Sequence, residues 1–352
     1  MKRMKKVLAG LLAATMAMSM SVTAFADTAT HQDMSTVTVT KTYNATNEGT
    51  ISPAETFTFS ELSCTGVTNA GVDPATGLVI TKDNAPKPTI GNVSYASGEA
   101  GSAAKSKDIT IKLPEYKAVG IYTYNFKEIA GDTAGVTYNE GEIELVVTVI
   151  EQNGKIRVAA VHTEDLNGDE NAASPGNAKT DDFDNVYSAG SLVVKKNVTG
   201  ILGDKEKEFT VTVTFTAPEG DKVKEDIAYM DGADSKTIDA GEEGWTGSKA
   251  VEITLKHDES VTFTNIPYGV TYTVVENDYT AEDAGGYDEA TYVFEDNNKK
   301  IDSASENVEI TNNKGGEVDT GIILDSAPYI LLLAFAAMGV FALVAKKREE
   351  EF

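Results

Sequence analysis

The stretch Thr36-Val37-Thr38-Val39-Thr40-Lys41 decides the fold, and it returns in altered form as Leu192-Val193-Val194-Lys195-Lys196. The first alternates β-branched apolar and polar residues, the period-two signature of a half-buried strand, and the second keeps the same face pattern. Working outward from the first, similar runs recur at residues 56–62, 109–113, 121–128, 143–150, 156–161 and 183–187. Outward from the second they recur at 209–217, 251–255, 261–266, 270–276, 291–294 and 308–312. Turn pairs such as Asn153-Gly154 and Gly131-Asp132 part the runs. Residues 65–107, rich in Gly, Ala, Ser, Asn and Pro, predict long loops with at most short strands. Residues 219–230 predict one short helical turn, and no long amphipathic helix is legible. The expectation is an all-β chain of two tandem β-sandwiches, with a short break at Ser188-Ala189-Gly190 and a boundary near residue 190.

A length of 352 residues leaves room for about two domains once the ends are set aside. Residues 1–26 read as a signal peptide: Lys2, Arg3, Lys5 and Lys6 are followed by an apolar region and by Ala24-Phe25-Ala26, an A-x-A cleavage site. The exported chain then begins at Asp27. A formal net charge of -25 describes an acidic surface that repels nucleic acid, and no basic patch suited to a phosphate backbone is present. Cys64 is the sole cysteine, so no intramolecular disulfide can form, and its strand-like setting predicts a small buried side chain. A long exported chain without disulfides needs another source of durability.

Laid side by side, the halves share an order of polar residues. The first has Lys41, then Glu128 closing Tyr122-Thr123-Tyr124-Asn125-Phe126-Lys127-Glu128, then Asn185 within Phe183-Asp184-Asn185-Val186-Tyr187. The second has Lys196, then Glu276 closing Tyr272-Thr273-Val274-Val275-Glu276, then Asn312 closing Val308-Glu309-Ile310-Thr311-Asn312. Strand alternation puts Lys41 with Val39, Glu128 with Phe126 and Asn185 with Phe183 on the apolar face. Lys196, Glu276 and Asn312 fall in the same way with Val194, Val274 and Ile310, whereas Lys195 and Asn313 fall on the solvent face. Burying a lysine or a carboxylate is costly unless the group is paired or neutralised. Two arrangements meet that demand: a buried salt bridge capped by an amide, or a Lys–Asn isopeptide bond. For the bond, desolvation lowers a lysine pKa and raises a glutamate pKa, so both can be neutral together. The amine then attacks the Asn side-chain carbonyl, while Glu polarises it and relays protons as ammonia leaves.

The chain closes on Glu317-Val318-Asp319-Thr320-Gly321, an uncharged apolar run at 328–345, and Lys346-Lys347-Arg348. The run sits near the lower limit for a helix that spans a bilayer, and the basic cluster would stay on the cytoplasmic side. This order resembles the sorting signal of Gram-positive surface proteins, usually Leu-Pro-x-Thr-Gly. Glu317 and Val318 depart from the first two places in the manner of pilus backbone subunits. The resemblance implies that a sortase cleaves between Thr320 and Gly321 and passes the Thr320 carbonyl to an amine.

The Lys…Glu…Asn order, the Tyr-rich strand before each Glu and the closing Asn strand resemble the isopeptide-linked, CnaB-like immunoglobulin-type domains of Gram-positive pilins. The second half matches more closely, through Phe263-Thr264-Asn265-Ile266-Pro267-Tyr268-Gly269 and residues 272–276; the first departs by insertions around 65–107 and 162–182. As a whole the chain resembles a two-domain major (backbone) pilin of the streptococcal type. That implies an N-terminal isopeptide β-sandwich at 27–190, a C-terminal CnaB-like one at 191–315 and a sorting signal at 316–352. It also implies cross-links Lys41–Asn185 and Lys196–Asn312, promoted by Glu128 and Glu276. Implied partners are a sortase, identical pilin subunits in a covalent homopolymer, minor pilins and cell-wall peptidoglycan. The lysine that joins subunits lies, in two-domain relatives, shortly before the closing Asn of the first domain, where Lys179 stands. The rival expectation is a monomeric wall-anchored adhesin with the same domains.

Asp165, Asn167 and Asp169 have the alternate spacing of a calcium loop. Glu170 stands where that loop requires Gly, and Gly176 where it closes on Glu, so a solvated acidic loop and no metal are expected. His31, His162 and His257 are scattered without motifs, and no Gly-rich phosphate loop links a strand to a helix. Neither a turnover active site nor a cofactor is expected, only autocatalytic formation of the bonds.

Overall fold

The computed structural model describes residues 34–316, apart from Glu48, Ser102 and residues 167–181. The signal peptide, Glu317, Val318, Asp319, Thr320, Gly321, the apolar run 328–345, Lys179, Asn167, Asp169 and His31 lie outside the described residues.

The first half holds β1 (Thr36–Ala45), β2 (Glu55–Phe59), β3 (Ser63–Thr68), β4 (Thr89–Ile90), β5 (Val93–Tyr95), β6 (Lys105–Lys112), β7 (Gly120–Ile129), β8 (Val136–Thr137), β9 (Glu142–Gln152), β10 (Lys155–Asp165) and β11 (Asp182–Tyr187). The second holds β12 (Ala189–Thr199), β13 (Phe209–Thr216), β14 (Ile227–Asp231), β15 (Asp234–Ile238), β16 (Ser248–Leu255), β17 (Ser260–Pro267), β18 (Thr271–Glu276), β19 (Thr291–Phe294) and β20 (Ser305–Asn313). No helix occurs among the described residues. The helical turn expected at 219–230 is replaced by extended chain: Val223 bridges Trp245, and β14 begins at Ile227. Ile227 and Tyr229 are buried with Ala228 between them half-buried, so period two governs there rather than a helical period. The expected loop at 65–107 carries β4 and β5, most of β3 and the start of β6.

In the first half one sheet runs β4-β6-β1-β11-β8, and the other runs β10-β9-β7-β2-β5 with β3 also on β7. In the second half the sheets run β15-β14-β17-β12-β20-β19 and β16-β13-β18. Nearly every pairing is antiparallel, but the opening and closing strands of each half, β1 with β11 and β12 with β20, lie side by side in parallel. Such neighbours need a long connection between them, here the remainder of each half. The first core packs Val39, Tyr43, Phe57, Tyr122, Phe126 and Phe183 between its sheets; the second packs Val194, Val213, Phe215, Phe263, Tyr272 and Ile310.

One residue, Ser188, separates β11 from β12, and its backbone is held on both sides. Its N–H donates to Gly135 O (2.8 Å) and its carbonyl accepts from Tyr268 N–H (2.9 Å). Ala134, from the loop after β7, packs into the second core, whereas Ala189 packs into the first. Gly135 has φ +80°, and a Cβ there would meet Ser188 O at 2.6 Å, so this joint requires glycine.

Candidate functional site

Lys41 on β1 lies opposite Phe183 on β11, and Asn185 stands two residues further along. Lys196 on β12 lies opposite Ile310 on β20, and Asn312 again stands two residues further along. Parallel pairing and period-two alternation therefore put lysine and asparagine on the inner face of one sheet with the same offset in both halves. Glu128 and Glu276 come from the facing sheets, near the end of β7 and at the end of β18. All six side chains are buried, Lys41, Asn185 and Lys196 completely.

In the first half Lys41 Nζ is 3.0 Å from Glu128 Oε2 and donates to Phe183 O, also at 3.0 Å. Asn185 Nδ2 donates to Glu128 Oε1, and Asn185 Oδ1 accepts from the backbone N–H of Asn139 at 3.0 Å. In the second half Lys196 Nζ is 2.9 Å from Glu276 Oε1 and donates to Asn312 Oδ1. An aromatic ring lies beneath each ammonium position, Phe57 at 4.4 Å from Lys41 Nζ and Phe209 at 4.3 Å from Lys196 Nζ. The structure thus brings together each lysine, glutamate and asparagine that strand alternation assigned to the inner face.

Burial, opposed by the attraction of Glu128, pushes Lys41 down to about 8, and it lowers Lys196 as well. Burial raises Glu128, against the pull of Lys41 and of its hydrogen bond from Asn185. Both shifts favour the uncharged forms, a neutral amine beside a protonated carboxyl, which is the state that nucleophilic attack requires. No bound cofactor is needed for such a step, since nucleophile, electrophile and proton carrier are all side chains of this chain.

The neighbouring residues point outward. Lys195 is exposed, 3.8 Å from Asp258, and Asn313 donates to Asp288 Oδ2 at 2.6 Å. His162 is exposed, and His257 Nδ1 accepts from Val198 N–H. Cys64, on β3, is half-buried and burial pushes its thiol up, away from reactive thiolate. Asp165 ends β10, and its two partners in the calcium-like spacing lie outside the described residues.

Strand alternation does not find Asn139, whose contribution is a main-chain N–H in the turn between β8 and β9. The only trace in sequence is Asn139-Glu140-Gly141, a turn-forming triplet ahead of a strand.

The family model described as Spy0128-like isopeptide containing domain matches residues 4–188, and one described as a domain of unknown function matches residues 190–314. A pilin of Streptococcus pyogenes serotype M1 is 27% identical over 346 residues, which is 93% of this chain and 96% of the relative. The solved major pilin T3.2 from Streptococcus pyogenes serotype GAS13637 aligns with 80% of this chain and 99% of its own, at 23% identity and a TM-score of 0.51. A further major pilin from Streptococcus pyogenes aligns over the same shares at 24% identity and a TM-score of 0.50. At such identities the structural likeness speaks for the fold.

Proposed function

The chain belongs to the Spy0128-like isopeptide-containing family, and from that premise we propose that it is the shaft subunit of a covalent surface pilus, locked internally by two Lys–Asn bonds. The observation that carries this reading is the duplicated buried set, Lys41–Glu128–Asn185 and Lys196–Glu276–Asn312, at one strand offset in both halves. A structural pilin-like role also agrees with the 27% identical pilin relative, which spans nearly the whole chain.

In each half the lysine Nζ attacks the Asn side-chain carbon. A C–N bond forms, the amide nitrogen takes a proton from the glutamic acid, and ammonia departs with the electron pair of the broken bond. The carboxylate left behind accepts the surplus proton from Nζ, so Glu128 and Glu276 end as they began. Each bond ties the opening strand of a half to its parallel closing strand. Tension applied along the chain then passes through covalent linkage rather than through strand hydrogen bonds.

Beyond the subunit, the signal peptide at 1–26 exports the chain and the sorting signal at 316–352 holds it for a sortase. Cleavage between Thr320 and Gly321 passes the Thr320 carbonyl to a lysine of the next identical subunit, Lys179 on the positional argument. The fibre, with any minor pilins, ends on cell-wall peptidoglycan, and the cell surface is its place of work.

Intact mass spectrometry of residues 27–320 tests the internal bonds, with a deficit of two ammonia equivalents expected and the full unmodified mass overturning them. Expression with a sortase tests the shaft role. A high-mass ladder that disappears in Lys179→Ala supports it, an unchanged ladder in that variant removes Lys179, and no ladder in the unaltered chain leaves the monomeric wall-anchored adhesin.

A further inference from the structure

The first-half site contains one contact that the second half lacks among the described residues. The backbone N–H of Asn139 donates to Asn185 Oδ1 at 3.0 Å. A backbone N–H only donates, so this bond fixes which end of the Asn185 amide is oxygen. The other end, Nδ2, donates to Glu128 Oε1, and the second oxygen of the same carboxyl faces Lys41 Nζ at 3.0 Å. The oxygen of the proposed reaction therefore has the Asn139 N–H to itself, while the departing nitrogen and the attacking amine meet the two separate oxygens of Glu128. In the second half Asn312 Oδ1 instead accepts from Lys196 Nζ, the nucleophile itself.

The turn that presents this N–H is well held. Asn139 Oδ1 accepts from Gly141 N–H at 2.7 Å, closing a short side-chain-to-backbone turn. Immediately before it, the Tyr138 ring meets Phe57 edge-on with centroids 6.2 Å apart, and the Tyr138 hydroxyl accepts from Thr133 N–H at 3.3 Å. Phe57 is the ring under Lys41, so one aromatic residue contacts both the turn and the nucleophile.

We propose that the main-chain N–H of Asn139 is the oxyanion donor of the first-half cross-linking reaction, and that Glu128 is thereby left to act on the departing nitrogen. When Lys41 Nζ bonds to Asn185 Cγ, the π electrons of the carbonyl move to Oδ1, and the Asn139 N–H faces the charge that develops there. Collapse restores the carbonyl and expels the nitrogen, which takes its proton from Glu128 and leaves as ammonia; Glu128 recovers a proton from Nζ. No oxidant or co-reactant enters. A fixed donor aimed at developing charge needs no reorganisation during the step, and losing one such donor in acyl transfer costs about 10²–10³-fold in rate.

This inference rests on the isopeptide reading, and the experiment separates the two. Cell-free synthesis of residues 27–320 is followed by intact mass and peptide mapping over time, with the second-half bond as an internal clock. Asn139→Ala keeps the N–H and serves as the reference. The same position filled by lactic acid, through nonsense suppression, replaces only the N–H by an ester oxygen. The proposal expects the ester chain to form the first bond about 10²–10³-fold more slowly than Asn139→Ala, with the second bond on time in both. Equal rates in the ester chain and in Asn139→Ala overturn it, whether both are fast or both are slow. Absence of the first bond from the unaltered chain overturns the isopeptide reading of that half, and this proposal with it; absence of the second bond alone overturns only the reading of the second half.

Discussion

Glu128 Oε2 stands 3.0 Å from Lys41 Nζ with neither side chain in contact with water. A charged pair in that position pays a large desolvation cost, whereas a neutral amine beside a neutral acid does not. Burial drives both groups in the neutral direction, and the proposed reaction casts Glu128 as a proton carrier rather than a counter-ion. Glu128→Gln and Glu128→Ala are each expected to lose one ammonia equivalent of the mass deficit, mapped to the first half alone. Glu276→Ala is expected to do the same for the second half. A Glu128→Gln chain that matured fully would show that hydrogen bonding suffices and that proton relay is not the role of this residue.

The bonds should dominate stability. Lys196 and Asn312 are 116 residues apart in sequence, so linking them removes much of the freedom of the unfolded second half. The chain-entropy argument for a cross-link closing a hundred-residue loop gives about 4.7 kcal/mol. At about 2–8 °C per kcal/mol for units of this size, Asn312→Ala should lower the melting temperature of the second half by on the order of 10–40 °C. Scanning calorimetry checks this. A fall of only a degree or two would mean that the lysine, glutamate and asparagine stabilise that half as a polar cluster, without a bond.

Much of the placement of the candidate site was legible in sequence because the signal has period two. Val39 and Lys41, or Ile310 and Asn312, share a face wherever the strand holds its register, so polar residues on an apolar face betray themselves. Three features escaped for physical reasons. Asp234–Ile238 forms β15 with four of its five residues exposed, so no apolar face marks it as a strand. Residues 219–226 mix Gly, Asp, Glu and Lys around Val223, and the apolar run 227–230 shows no period of its own; pairing with β17 and β15, invisible locally, makes it strand. Asn139 acts through its backbone, and a main-chain N–H carries no residue type to find.

Register decides between adjacent lysines, and the structure makes that choice testable. Lys196 is fully buried beside Glu276, while Lys195 is exposed beside Asp258. Lys196→Ala should abolish the second bond and Lys195→Ala should leave it intact; Asn312→Ala and Asn313→Ala should divide in the same way. Tandem mass spectrometry of the branched peptide reads the result directly. A branch at Lys195 would mean that β12 pairs one residue out of register, which would turn its whole apolar face outward.

The joint between the halves carries its own pH dependence. Asp132 lies 2.7 Å from Lys222 Nζ and 3.0 Å from Lys224 Nζ, and these cations hold its carboxyl down at about 2. Main-chain bonds from Ala134 N–H to Lys222 O and from Lys222 N–H to Asp132 O, at 2.9 and 2.7 Å, fasten the same segments. A carboxyl with a depressed folded pKa contributes stability that is fully present above its unfolded value, here near the ordinary aspartate value of 3.8, and lost as pH falls through about 2. The Asp132 side chain is about 42% exposed, so water screens the attraction and the effect is small. Asp132→Asn should therefore lower the melting temperature at neutral pH by no more than a few degrees, and the variant and the unaltered chain should converge as pH falls from 4 to 2. Conversely, a difference that persists undiminished at pH 2 would assign the effect to packing of the 131–135 loop against the second half rather than to the charge on Asp132.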